Sequence, residues 1–179
     1  AYPENPELLR GAATSYVAYA QAFVADPKDE ERAARLYDRA HHYGMRLLQR
    51  HKHLAATLRS SGDSFELALR TCSAEDVPGL YVAGTAWLGW IIAKPASIVA
   101  LADLPRALDL MERILDLDEG YGNGSVHLTF GIYYAIQPAG AGQDLAKRRH
   151  PFTRAIELGR GNDLTARLLY AEFIGKATP

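Results

Sequence analysis

The sequence predicts an all-α fold of antiparallel helix pairs, and three observations carry that prediction. Apolar residues recur at helical spacing along the chain, and no segment keeps the period of two that a half-buried strand requires. Two stretches share one grammar: Leu80-x2-Ala83-Gly84-x2-Trp87 and His127-x2-Phe130-Gly131-x2-Tyr134 each set a Gly between bulky neighbours, with an aromatic three positions later. A second grammar recurs as Ala33-x3-Tyr37-x2-Ala40, Ala107-x3-Met111-x2-Ile114 and, more loosely, Arg148-x3-Phe152-x2-Ala155. In an antiparallel pair such a Gly is expected to let a partner backbone approach, while the bulky residues nearby fill the space around the contact.

The elements follow in order. Asn5 is expected to cap a helix with Pro6 at its first position, whose apolar side runs through Leu9, Ala12, Tyr16, Tyr19, Ala20 and Phe23 until Asp26-Pro27 ends it. A second helix, about Asp29 to His53, opens acidic and closes on Arg46, Arg50, His51, Lys52 and His53, the charge order that a helix dipole favours. Ser60 to Asp63 reads as a loop and Ser64 as the cap of a short helix. Asp76-Val77-Pro78 starts a long aromatic-rich helix to Ala93, which Lys94-Pro95 closes. Ile98 to Leu101 predicts a short helical turn, and Asp103 caps the helix through Leu117, with Pro105 in its first turn. Tyr121-Gly122-Asn123-Gly124 is a break before a helix from about Ser125 to Ile136, ended by Pro138 and the segment Ala139-Gly140-Ala141-Gly142. Asp144 starts the next helix; Pro151 should bend or end it, since an interior Pro costs about 3 kcal/mol. Gly159 to Asn162 is the last turn, before a closing helix from Asp163 to about Lys176.

The two grammars are the first-helix and second-helix halves of a tetratricopeptide repeat, but the copies are spaced wider than the ~34 residues of a regular array. The expectation is one domain over residues 1–179, a divergent tetratricopeptide-like superhelix whose loops hold the specificity.

With 48% apolar and 23% charged residues in 179, the chain can build a substantial core, and 20 basic against 21 acidic residues give no field for steering polyanions. Nucleic acid is therefore not an expected partner. The longest apolar stretch, Leu80 to Ala93, falls short of the ~20 residues of a membrane span. The chain starts at Ala1 without Met or a charged-then-apolar leader, as expected where a targeting segment has been removed or the chain trimmed. Cys72 is the only cysteine, so no internal disulfide and no cysteine-based metal site is expected, and Cys72 reads as a buried packing residue.

In a tetratricopeptide pair, first-helix residues one and five positions after the leading bulky residue face the concave groove. Here these are Tyr81 and Thr85, then Leu128 and Ile132, with Leu88 and Ala135 extending the stripes. Such a groove suits a hydrophobic small molecule or an amphipathic segment, although the same stripes serve equally as core. Trp87 and Tyr134 hold packing positions; Trp90 and Tyr133 are the aromatics left for a groove or interface. His127 is expected to be a buried histidine donating to an acidic or backbone oxygen, and is the candidate polar contact of a pocket. The six histidines form no metal signature, since His51 and His53 lie on different helix faces and His41 and His42 are adjacent. No nucleophile elbow, phosphate loop or dinucleotide fingerprint is present, so no enzyme, catalytic residue or cofactor is expected.

Three segments together carry a family resemblance: DVPGLYVAGTAWLGWI (Asp76 to Ile91), LPRALDLMERILDLDEGYGNGSVHLTFGIYYAIQP (Leu104 to Pro138) and FTRAIELGRGNDLTARLLYAEF (Phe152 to Phe173). With ENPELLRGAATSY (Glu4 to Tyr16) and ARLYDRAHHYGMRLL (Ala34 to Leu48), the sequence resembles the T component of tetratricopeptide-associated TRAP transporters over nearly its whole length. The resemblance implies a periplasmic protein, lipid-anchored through a Cys upstream of this chain, that docks on the extracytoplasmic solute-binding protein of a TRAP-type secondary transporter. It also implies a homo-oligomer, a trimer among the forms expected, and a hydrophobic or organic-acid ligand held in a groove or channel. The alternative is a general tetratricopeptide interaction scaffold with no transport role.

Overall fold

The computed structural model of the chain describes residues 5–21, 29–58, 60, 63–136, 145–160 and 164–175. Among the described residues every regular element is helical, so the fold is all-α. The chain divides into two compact units, Ala1–Leu117 and Asp118–Pro179.

The first unit opens with α1 (Pro6–Gln21) and α2 (Glu30–Leu48). The Asn5 Oδ1 accepts from the backbone N–H groups of Glu7 (2.9 Å) and Leu8 (3.3 Å), which is the expected cap. The stripe of α1 agrees with expectation at Leu9 and Ala20, which are buried, but between them Ala13 and Val17 face inward, while Ala12 and Tyr16 are half-buried and Tyr19 is exposed. The displaced tyrosines cover its flank, where Tyr16 stacks on Tyr43 at 5.8 Å and Tyr19 accepts a hydrogen bond from Arg32 at 2.6 Å. Phe23, Asp26 and Pro27 lie outside the described residues.

The second helix ends earlier than expected, at Leu48, and α3 (Lys52–Thr57) follows as a separate turn. His51, with φ −82° and ψ 113°, is extended and breaks the run. Leu48 and Leu54 are both buried, yet six helical positions turn them well apart on one helix, so the break re-aims Leu54 inward. The expected basic helix end is thus split, and only Arg46 stays in the last turn of α2. Ser64 begins α4 (Ser64–Leu69) rather than capping it; Asp63 holds the cap position, without a side-chain bond.

Ser73 and Asp76 form a capping box around the 3-10 turn Ala74–Asp76, which feeds α5 (Val77–Ile92). After it come α6 (Ile98–Ala102), whose Ser97 cap accepts from Ala100 N–H at 3.2 Å, and α7 (Leu104–Leu117). Residue pairing shows that α5 runs antiparallel to two neighbours. Towards α2, Ala83 faces Gly44, Trp87 faces His41 and Gly89 faces Tyr37; towards α7, Gly84 meets Leu110 and Met111 while Trp87 meets Arg106 and Asp103. Val17, Ala40 and Ala86 join α1, α2 and α5 in one core cluster. In α7 the residues Ala107, Leu110, Met111 and Ile114 are fully enclosed, at ~1.5–3 kcal/mol for each large side chain removed from water.

The second unit consists of α8 (Tyr121–Ile136), α9 (Leu145–Leu158) and α10 (Leu164–Phe173). The expected break is a left-handed turn at the start of α8, with φ of 55° at Gly122, 58° at Asn123 and 83° at Gly124. Gly124 has a second reason to be glycine, since a Cβ there would lie 3.0 Å from the Cα of Ala155. Gly131 faces Phe152 and Gly124 faces Ala155 and Leu158, so α8 and α9 are antiparallel. Helix α9 runs on through the buried Pro151, where a helix end was one of two expected outcomes. Phe152 stacks on Phe173 of α10 at 6.1 Å. Pro138, residues 139–142, Asp144, Asn162, Asp163 and Lys176 lie outside the described residues.

The repeat glycines work differently from expectation in one respect. A Cβ on Gly84 would lie 2.5 Å from Met111 Sδ, and one on Gly131 3.0 Å from the Phe152 ring. Both glycines therefore make room for the bulky side chain of the second-helix grammar, not for its backbone. Backbones come close instead at glycines outside either grammar, at Gly124 as above and at Gly44, where Ala83 Cα lies 3.1 Å from the position of the absent Cβ.

Candidate functional site

On α5, with α1, α2 and α7 packed around it, Tyr81 and Thr85 remain half-buried. The Thr85 hydroxyl donates to the Tyr81 carbonyl at 2.7 Å, so its polar atom is satisfied within the helix and its methyl is what remains to offer. Leu88, on the same stripe, is only 4% exposed and belongs to the core instead of an open groove. Helix packing on several sides takes in that part of the stripe. Trp90 is half-buried at the end of α5, where its ring stacks on His41 at 4.3 Å with planes 10° apart. The Trp90 indole donates to Asp38 at 2.8 Å, and the Lys94 ammonium is bonded to the same carboxylate while lying 5.4 Å from the Trp90 ring centre. These groups make a charged, aromatic edge between α2 and α5. Trp87 is core, as its repeat position implies, at 1% exposure.

In the second unit, His127 is buried and its Nε2 lies 3.2 Å from Glu119 Oε1, the acidic partner anticipated for it. Arg154 grips the same carboxylate bidentately, donating from Nε at 2.8 Å and Nη2 at 2.7 Å, and reaches Glu157 at 3.0 Å. The Arg154 bonds, with help from His127, hold the Glu119 carboxyl at about 2, well below its ordinary range. Burial lowers the His127 pKa against the pull of Glu119. Leu128, Ile132 and Tyr133 are half-buried on α8, and Tyr133 leans on Tyr134 at 5.3 Å. The eight candidates thus divide: Tyr81, Thr85, Leu88 and Trp90 belong to the first unit, His127, Leu128, Ile132 and Tyr133 to the second.

Two features went unpredicted. Helix α6 turns only Ala100 inward and leaves Ile98 (83% exposed), Val99 (71%) and Leu101 on the surface. The apolar run was visible in sequence; its outward aim was not. Next, the break at His51 brings its Nε2 to 3.8 Å from Cys72 Sγ, with Asp76 alongside, although the histidine and cysteine are 21 residues apart. Burial, then the Asp76 charge, pushes the Cys72 thiol up to about 11, which makes it a poor nucleophile at neutral pH. His51 and Asp76 line a cavity of about 290 Å³ bounded by Glu7, Arg10, Arg50 and Leu80. A second cavity of about 440 Å³ lies between Phe65, Asp103, Arg106 and Asp109. Among the described residues no helix is long and apolar enough to cross a membrane.

Residues 1–177 match the family described as TRAP transporter T-component. The chain is also 27% identical over 185 aligned residues to an uncharacterized protein of Treponema pallidum (strain Nichols), covering 95% of this chain and 57% of that protein. The chain therefore spans little more than half the length of that relative.

Proposed function

We propose that this chain, which belongs to the TRAP transporter T-component family, fills its accessory role in TRAP transport by docking on the extracytoplasmic solute-binding protein and offering an apolar face to a hydrophobic or organic-acid ligand. The observation that carries the reading is the family match over residues 1–177. Helical units with half-buried apolar stripes at Tyr81 and Thr85 and at Leu128 and Ile132 support a binding role in place of catalysis. The exposed Ile98, Val99 and Leu101 add an apolar surface of the kind that partner proteins cover. On this reading the chain is a periplasmic, non-enzymatic, lipid-anchored protein, its helix pairs form a tetratricopeptide-like superhelix, and copies of it self-associate.

The test is sedimentation velocity of the purified chain with the solute-binding protein of a TRAP transporter from the same source, with and without organic-acid or lipid ligand. A faster-sedimenting complex that weakens on Tyr81→Ser or Leu128→Ser substitution is the expected result. Two folded proteins that sediment independently at every concentration and ligand would refute the docking role.

A further inference from the structure

The geometry points to a divalent metal site that no sequence motif announces: we propose that His51, Cys72 and Asp76 bind a zinc-class ion, with one coordination position left open to the adjoining cavity. The three residues come from separate places, His51 from the break between α2 and α3, Cys72 from the loop after α4, and Asp76 from the turn that leads into α5. Their ligand atoms all lie within 4.8 Å of one another, and Cys72 Sγ is 3.8 Å from His51 Nε2. Tetrahedral zinc with bonds of ~2.3 Å to sulfur and ~2.0–2.1 Å to nitrogen sets those two atoms about 3.6 Å apart. The pair therefore needs to close by only about 0.2 Å to chelate an ion. A thiolate, an imidazole and a carboxylate together suit zinc or cobalt better than magnesium or calcium, which take oxygen donors.

The surroundings hold these donors in place. Arg113 donates to the carbonyls of Leu69 (3.1 Å), Arg70 (3.4 Å) and Cys72 (2.9 Å), which pins the turn carrying the thiol. Asp76 Oδ2 accepts from Ser73 N–H (2.8 Å) and Oγ–H (3.1 Å), which orients the carboxylate. Such outer bonds orient the ligands of established metal sites. Among the described residues the His51 Nδ1 is buried without a hydrogen-bond partner, and its Nε2 lies 3.8 Å from the Cys72 sulfur. Three protein ligands with a water or exogenous ligand in the fourth position is the open form of a zinc site, and His51 and Asp76 both line the cavity from which that ligand would come. The ion would also tie the α2–α3 break to the start of α5.

The inference is independent of the transport reading and is tested on the full chain, reduced and freed of metal by chelator. Titration with Co2+ should produce the near-ultraviolet absorption of thiolate-to-cobalt charge transfer at one ion per chain, and Zn2+ should displace it. Cys72→Ser should abolish the band. His51→Gln, and Asp76→Asn, which keeps an acceptor for the Ser73 cap, should each weaken Co2+ binding at least about tenfold, a loss of ~1.4 kcal/mol or more. Circular dichroism checks that each variant is folded. Absence of the band in the folded wild-type chain overturns the site, as does a band that is unchanged in His51→Gln or that saturates at one ion per two chains.

Discussion

Gly89 and Gly11 are both helical, and what surrounds them sets opposite consequences for the same substitution. A Cβ on Gly89 would lie 2.2 Å from the Tyr37 ring, which is itself buried, while one on Gly11 meets nothing within 4 Å. Gly89→Ala should therefore destabilise the chain by about 1–3 kcal/mol through overpacking. Gly11→Ala should stabilise it by ~0.5–1 kcal/mol through helix propensity, and urea unfolding of the two variants reads both signs. His41 lies between Trp87 and Trp90 with a buried Nε2 that has no partner among the described residues, and burial lowers its pKa to about 4 despite Asp103 and Asp38. Because the folded-state value is depressed for a base, the unfolded chain takes up the proton first. Stability is intact above the unfolded value near pH 6.5 and is lost as pH falls towards 4, with a loss of roughly 2 kcal/mol by pH 5. His41→Phe keeps the stack on Trp90 and should flatten that slope in unfolding measured from pH 7 to 4.5. The sequence marked neither residue, since the significance of Gly89 and His41 arises from α2 lying against α5.

Helix ends were more legible than helix faces. The Asn5 cap, the Ser97 start of α6 and the left-handed turn at Gly122 to Gly124 depend on residues within one turn of each other, and each forms where the sequence placed a boundary. The long second helix did not, because its break at His51 serves the burial of Leu54, a tertiary demand that overrides the favourable charge order. Asp103 illustrates both cases. It precedes α7 as a cap should, but its Oδ2 accepts the Trp87 indole N–H at 3.1 Å and so joins the start of α7 to the middle of α5. Asp103→Ala leaves that N–H buried without a partner and should cost about 1–3 kcal/mol in urea unfolding, whereas Asp103→Asn, which retains an acceptor, should cost less than half as much.

At the scale of the whole molecule, its surface decides what the chain can join. Ile98 and Val99 project from α6 and contribute nothing visible to the core, so Ile98→Glu with Val99→Glu should leave unfolding free energy within ~0.5 kcal/mol of wild type. If this face belongs to the proposed interface, the double variant should weaken the complex with the solute-binding protein at least about tenfold in sedimentation. Unchanged affinity would assign the interface to another surface. The sequence by itself determined the all-helical class, the boundaries of most helices, and the family. Those properties follow from periodicity and cap chemistry within a turn or two, or from motifs read in order. Tertiary structure alone decided which side chains meet: Trp90 with Asp38 across 52 residues, Arg154 with Glu119 across 35, His51 with Cys72 across 21. It also decided that Leu88 is core and that Ala13 and Val17, not Ala12 and Tyr16, face inward. A one-residue error of phase turns a helix face by about 100°, and only the joint packing of neighbouring helices selects the phase.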